Sequence, residues 1–340
     1  MTDNASTFVP ISVSSPYRER RTATDRWFDV RGSHNSARAP LRAPLRYHLR
    51  CWGDMSLATP DKPPLLLMHG WMDVAASFQF LVDAMQALEG DTRVIIAADW
   101  RGFGHSSTPT TDSYWFPDYL ADLDAVLDQL LAELQLQAPT VKQIDLLGHS
   151  MGGNIVMSYA GVRPQHIRRL VNLEGFGLPR ADASYAPKRL LQWLDELKTP
   201  ASLRDYASAD DVAARLMKNN PRLPQDKATW LARHWAEADA TGRWHILGDP
   251  AHKRVNPVLY QVEEVLAVWR QISAPLLWVE GEQTDMSKWW GTRYPRSDFD
   301  ARLAVVPQVQ RALLTDCGHM LHHDQPEALA AHVLEHLNRP

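Results

Sequence analysis

The stretch Leu146-Leu147-Gly148-His149-Ser150-Met151-Gly152-Gly153 reads as a strand end, a tight turn and a helix start. Upstream lies an apolar run, residues 144–147, and downstream a stretch of helical spacing, residues 152–162. The glycines at 148 and 152 have a mechanical meaning. A serine in so sharp a strand-to-helix turn takes a strained backbone conformation, and side chains on either side would collide with their neighbours. The turn lifts the Ser150 hydroxyl clear of a sheet edge and sets it at a helix N-terminus, where partial positive charge favours a developing anion. That is the placement a nucleophilic serine requires.

The same strand design recurs outward from this turn. Pro63-Pro64-Leu65-Leu66-Leu67-Met68-His69-Gly70 is a continuous apolar run ending at glycine, the mark of a strand buried on both faces. Residues 94–99, 170–173 and 276–279 repeat it, and residues 46–52 alternate as an edge strand does. Helical patterns at 75–88, 119–136 and 152–162 lie between these runs. Alternating strands and helices predict an α/β fold, here a mostly parallel eight-stranded sheet flanked by helices. After Glu174 the alternation stops, and residues 177–271 read as helices and loops only, with helical spacing at 190–197, 209–217, 227–238 and 261–269. Strand, strand and helix then resume at 275–281, 309–315 and 326–337. The expected organisation is a core of residues 45–176 and 272–340, a helical cap of 177–271 inserted between two strands, and a weakly ordered extension of 1–44, rich in Ser, Thr, Arg and Pro.

Bulk properties narrow the partners. With 340 residues, 45% hydrophobic and 22% charged, the chain can bury a sizeable core. A formal net charge of -4 gives no electrostatic reason to expect nucleic acid or an anionic membrane. No run approaches the roughly 18–20 apolar residues of a membrane helix. Cys51 and Cys317, expected on the first and last strands, make no disulfide framework and read as reduced thiols, which suits a cytoplasmic protein.

A nucleophilic serine needs a base, an acid and donors for the oxyanion. Backbone N–H groups of Met151, directly after the serine, and of Trp71, in the loop His69-Gly70-Trp71-Met72-Asp73, are the expected donors. His69 reads as a structural hydrogen-bonding residue. The base expected is His319, in Asp316-Cys317-Gly318-His319-Met320-Leu321-His322-His323, because Gly318 gives it a free loop position after a strand; His322 and His323 are its rivals. These three histidines lack a second ligand set at zinc-like spacing, so no metal is expected. In this arrangement the order along the chain is serine, acid, histidine. Asp285, after the strand that ends in Glu280-Gly281, is the first choice of acid, and Glu174, at the end of the preceding strand, is the alternative; Glu280 and Glu282 read as solvated or hinge residues.

Taken together, His69-Gly70-Trp71, Asp99-Trp100-Arg101-Gly102-Phe103-Gly104-His105-Ser106, Gly148-His149-Ser150-Met151-Gly152-Gly153 and Gly318-His319 before Pro326-Glu327 resemble the α/β-hydrolase fold superfamily over residues 46–337. The Asp99–Ser106 stretch looks like a turn shared with esterases, epoxide hydrolases and haloalkane dehalogenases, which implies structural roles for Asp99 and Arg101. The last two relatives use an aspartate nucleophile; serine at 150 argues against both activities, since an alkoxide suits acyl transfer. The segment from Gly242 to Trp269 looks like the cap of the serine-hydrolase-like subgroup. One departure stands out: three residues separate Gly281 from Asp285, where the family pattern Gly-x-x-Asp has two, and this keeps Glu174 in contention.

The resemblance and the residues imply a serine esterase that cleaves a small or medium, largely apolar ester through an acyl-enzyme, without cofactor. Trp71, His149, Trp193 and Trp244 are the expected substrate-binding residues. Thioesterase, lactonase or carbon–carbon bond hydrolase chemistry would use the same residues, and a ligand-binding relative without turnover is the alternative of another class. The expected partner is a small ester-like molecule, with no nucleic acid and no membrane; a homodimer is allowed by the sequence.

Overall fold

In the computed structural model, which describes residues 15–30, 45–109 and 111–339, Thr24–Val30 (β1) and Leu45–Trp52 (β2) pair antiparallel in register from Thr24 opposite Cys51 to Val30 opposite Leu45. Leu65–Met68 (β3) is wholly buried; Gln79–Glu89 (α1) follows it and leads to the equally buried Ile95–Ala98 (β4). Strands covered on both faces have no solvent side with which to alternate, which is why they read as plain apolar runs. Phe116–Gln137 (α2) precedes Ile144–His149 (β5), and Met151–Val162 (α3) connects β5 to Ile167–Leu173 (β6).

The segment that follows carries Ala186–Leu197 (α4), Asp205–Tyr206 (β7), Ala209–Asn219 (α5), Gln225–Trp235 (α6), Ala236–Ala238 (β8), Trp244–Ile246 (β9) and Val262–Trp269 (α7). The sheet resumes with Leu276–Gly281 (β10), then Ser287–Trp290 (α8), Arg296–Leu303 (α9), Val309–Leu314 (β11), Leu321–Asp324 (α10) and Pro326–Leu337 (α11). The strand order is β1-β2-β4-β3-β5-β6-β10-β11, with β2 antiparallel to both neighbours and every pairing from β4 to β11 parallel. The expected eight-stranded, mostly parallel sheet is therefore present. Side chains of α2, α3, α7 and α9 bury one face, among them Leu127, Ile155, Leu266 and Phe299. Side chains of α1 and α11, among them Leu81, Met85, Leu329 and Val333, bury the other.

Two expectations need correction. Order does not begin at residue 46: β1 lies within the segment expected to be weakly ordered, and residues 1–14 and 31–44 of that segment fall outside the described residues. An outer strand is held by backbone pairing and needs no apolar face, and most of β1 is exposed. Residues before it are tied to α1, where Asp83 accepts hydrogen bonds from the Tyr17 hydroxyl and from the Arg20 and Arg21 backbone N–H groups. The segment 177–271 is also not helix and loop alone, because β7, β9 and β8 form a three-stranded antiparallel sheet within it. Cys51 lies on β2 and Cys317 just beyond β11; both are buried free thiols. No helix among the described residues is long and apolar enough to cross a membrane.

Candidate active site

The parallel strands β5, β6 and β11 end on the same edge of this sheet, and the loops after them hold the chemistry. Ser150 sits between β5 and α3 with φ 51° and ψ -115°, a region that L side chains rarely adopt. The turn closes because its glycines let backbones touch. A Cβ on Gly148 would lie 2.4 Å from the Gly152 carbonyl oxygen, and one on Gly152 would lie 2.3 Å from the Met68 carbonyl oxygen. The Ser150 N–H donates to the Leu173 carbonyl at 2.8 Å, locking the turn to β6.

His319 and Glu174 complete the constellation. His319 Nε2 lies 3.0 Å from Ser150 Oγ, and His319 Nδ1 lies 2.6 Å from Glu174 Oε2. Glu174 directly follows β6 with φ 54°, its N–H bonded to the Val279 carbonyl and its Oε1 accepting from the Gly281 N–H at 2.7 Å. Both carboxylate oxygens are thus used, and the group is 2% exposed. Burial pushes the Glu174 carboxyl up to about 8, against the lowering effect of the Gly281 N–H. Burial likewise pushes the His319 imidazole down to about 4. A desolvated imidazole next to a desolvated carboxyl titrates with it as a pair, and the neutral ring keeps an Nε2 lone pair for the serine proton.

Asp285, the first choice of acid from sequence, is not part of this group. It is exposed, and its carboxylate accepts the Ser287 N–H at 2.9 Å, opening α8. The extra residue after Gly281 explains the difference: the Thr284 N–H folds back onto the Gly281 carbonyl and carries Asp285 outward. The alternative, Glu174, is the carboxylate that meets His319.

His149 is buried beside the site, and its Nε2 meets the His319 carbonyl oxygen at 2.8 Å, so it braces the loop that carries the imidazole. His322 and His323, the rivals of His319, both contact the Ser77 hydroxyl, and it is His319 that meets Ser150. His69 bonds the Gly70 carbonyl through Nδ1 and the Trp100 N–H through Nε2, the structural role its position suggested. Asp99 accepts the Ala75 and His105 N–H groups, and Arg101 pairs with Asp122, so both support the surrounding loops.

Two cavities meet at Ser150 and His319. One, about 650 Å³, is walled by Tyr114, Trp115, Phe116, Tyr119, Phe176 and Trp290. The other, about 470 Å³, is lined by Met72, Leu203, Tyr206, Leu223, Trp235 and Met320, with His149 in its floor. Trp71 and Trp289 line both, and the Trp289 ring lies edge-on to His319 at 4.6 Å between centroids. Of the tryptophans expected to bind substrate, Trp71 is at the site, while Trp193 and Trp244 line neither cavity. Trp244 packs against the cluster of Val212, Leu231 and Trp235 inside the inserted segment. Trp193 lies on α4, whose Leu190, Leu191 and Leu194 face solvent. The aromatic walls come instead from the sheet domain, from the entry and first turn of α2, the turn after β6, and α8. Tyr114-Trp115-Phe116 and Trp289-Trp290 are paired or tripled aromatics outside any strand, a signal that sequence reading passed over.

A serine at a strand-to-helix turn, joined to a histidine and a buried carboxylate at the ends of a mostly parallel sheet, defines a hydrolase of the α/β type. The family profile described as alpha/beta hydrolase fold matches residues 63–326, and the chain belongs to that family. Among curated relatives, a serine hydrolase-like protein of Danio rerio is 26% identical over 63% of this chain and 63% of its own length, so the chain matches less than two thirds of that relative. Lipase 3 of Moraxella sp. (strain TA144) is 33% identical over 76% of this chain and 71% of its own length. Among solved structures, a thioesterase domain from the curacin biosynthetic pathway aligns with a TM-score of 0.72 at 22% identity, covering 92% of this chain and 99% of the domain, a likeness of fold.

Proposed function

We propose that the protein is a serine hydrolase that cleaves a carboxylic ester of a small or medium, largely apolar substrate. The observation that carries this reading is the continuous chain from Ser150 Oγ through His319 to Glu174, at 3.0 and 2.6 Å, opening onto two mainly apolar cavities. His319 takes the serine proton as the hydroxyl oxygen attacks the ester carbonyl. Glu174 fixes the tautomer with its proton on Nδ1 and stabilises the imidazolium. The tetrahedral oxyanion is met by the Met151 and Trp71 N–H groups, neither of which donates to another backbone group among the described residues. Gly70 supports the second donor: a Cβ there would lie 3.2 Å from the Ser150 Cβ, so the 70–71 backbone runs directly beside the serine. Collapse of the intermediate passes the proton to the departing alcohol and leaves an acyl-enzyme. Water, deprotonated by the same imidazole, then releases the acid.

Residues 177–271 act as the cap in this reading, closing the second cavity with Leu203, Tyr206, Leu223 and Trp235. The lipase among the relatives favours an ester over the other acyl substrates. The two buried free thiols fit a cytoplasmic setting. Labelling with a fluorophosphonate probe tests the nucleophile: wild type is labelled and Ser150→Ala is not, whereas unlabelled wild type leaves a ligand-binding protein without turnover. A panel of esters, thioesters and lactones on the purified protein then tests the substrate class, and turnover confined to thioesters or lactones would overturn the ester assignment.

A further inference from the structure

Behind the Ser150–His319 contact the fold buries a second polar group that ester cleavage leaves unused. Asp73, His149 and His322 each offer a ligand atom, and these atoms lie within 4.8 Å of one another. Their residues are 6%, 2% and 0% exposed. The hydrogen-bond inventory around them does not close. Because His149 Nε2 faces a carbonyl oxygen, Nε2 must carry the ring proton, which leaves Nδ1 as a bare lone pair. That Nδ1 is buried and has no partner, and neither has Asp73 Oδ2. Two acceptors are therefore enclosed with no donor between them. His322 brings Nε2 to 3.7 Å from Asp73 Oδ2 and 3.1 Å from the Ser77 hydroxyl, and its Nδ1 is also without a partner.

We propose that Asp73, His149 and His322 form a binding site for one divalent transition-metal ion of the zinc or cobalt(II) kind. Two imidazoles and one carboxylate are the donor set such ions take, whereas calcium and magnesium favour shells made of oxygen. With metal–ligand bonds of about 2.0–2.1 Å, donors around a tetrahedral ion stand roughly 3.3 Å apart, so the group closes onto an ion by side-chain movements on the order of 1 Å. The cavity beside Ser150 reaches Asp73 and His149, which provides a route of entry, and water from that cavity supplies the fourth ligand. Ser77 holds the same His322 Nε2 that faces Asp73, so this hydrogen bond gives way when the ion takes that nitrogen, and Ser77 keeps its bond to His323. The ligands come from three separate places along the chain, the loop after β3, the last residue of β5 and the first turn of α10, so the sequence shows no zinc-like spacing.

The site also touches the reaction machinery at two places. Asp73 lies two residues after Trp71, and His149 holds the His319 carbonyl. An ion there ties together the loops on either side of Ser150.

The test uses the full chain stripped with a chelator and titrated with Zn2+ or Co2+ alone. Calorimetry should show one ion bound per chain, Zn2+ should raise the melting temperature, and Co2+ should develop the visible absorption of a low-coordinate nitrogen and oxygen environment. Asp73→Asn and His322→Gln, each checked for native circular dichroism, should weaken binding by about 100-fold, at the upper end of what loss of even an outer partner costs. Absence of saturable binding in wild type, or cobalt that keeps the spectrum of the hydrated ion, overturns the site. So does unchanged affinity in folded variants. These readouts are independent of ester turnover, so they fail separately from the proposed activity.

Discussion

Glu174 holds a left-handed backbone, φ 54°, to bring its carboxylate under His319, and Asp285 spends its own carboxylate on the start of α8. The two variants therefore have opposite expected outcomes. Glu174→Gln should lower kcat on an aryl ester by about 10³- to 10⁴-fold, the scale seen when an orienting carboxylate of such a group is neutralised. Asp285→Asn should leave kcat within about twofold, as an exposed substitution does when it touches no reacting group. Equal losses in both would break the pairing of Glu174 with His319. The pH profile adds a signed test. His319 must be neutral to accept the serine proton, so activity falls as the pH drops and the pair gains a proton. Burial already holds the imidazole down, to about 4, while the charges of Asp324 and Asp73 act to raise it. Removing the Asp324 charge lowers the proton affinity of His319 further. The acid limb of kcat/KM in Asp324→Asn should move to lower pH, and a limb that moves upward contradicts this account of the imidazole.

His48 on β2 connects three parts of the sheet edge: Nε2 lies 3.0 Å from Asp25 of β1, and Nδ1 lies 2.7 Å from Asp99 beyond β4. Burial acts to lower this imidazole, but Asp99 and Asp25 outweigh it and hold it above its ordinary value. A folded-state value above the unfolded one means that the charged ring stabilises the fold fully below about pH 6.5 and that this contribution disappears as pH rises through the folded value. His48→Gln should flatten that dependence: between pH 6 and pH 9 the variant's Tm should change less than that of wild type, read by differential scanning calorimetry. An equal slope in both would remove His48 from the account. The same strand pair shows what was legible in sequence. Runs such as Leu65–Met68 and Ile95–Ala98 announce themselves because both faces are buried. Ser150 and His319 are legible because glycines and strand ends constrain their loops. The β1 strand lacks a continuous apolar stripe, and β7, β8 and β9 have only two or three residues each, so neither leaves a periodic signal. The acid was ambiguous for a geometric reason: β6 and β10 are neighbours, both are followed by carboxylates, and only the path of the backbone after each strand decides which one meets the histidine.

At the scale of the whole molecule, Ser150 stands where two cavities of different origin join. Aromatic residues of the sheet domain wall the larger, and the smaller is closed by Leu203, Tyr206, Leu223 and Trp235 from the inserted segment. An ester has two halves, and an attack centre placed at the junction directs one half into each cavity. The two walls should then control different halves of the substrate. Trp115, which is 42% exposed, can be truncated without opening the core, and Leu203, half-buried, can be enlarged. In an ester series with the acyl chain varied and the alcohol held constant, and in the converse series, Trp115→Ala should shift kcat/KM preference along one series. Leu203→Trp should shift it along the other. Each shift should be about tenfold, because a methylene or two of pocket contact is worth about 1–3 kcal/mol of discrimination. If both variants alter the same half of the ester, the cavities serve one binding site, and the division of the substrate at Ser150 is wrong.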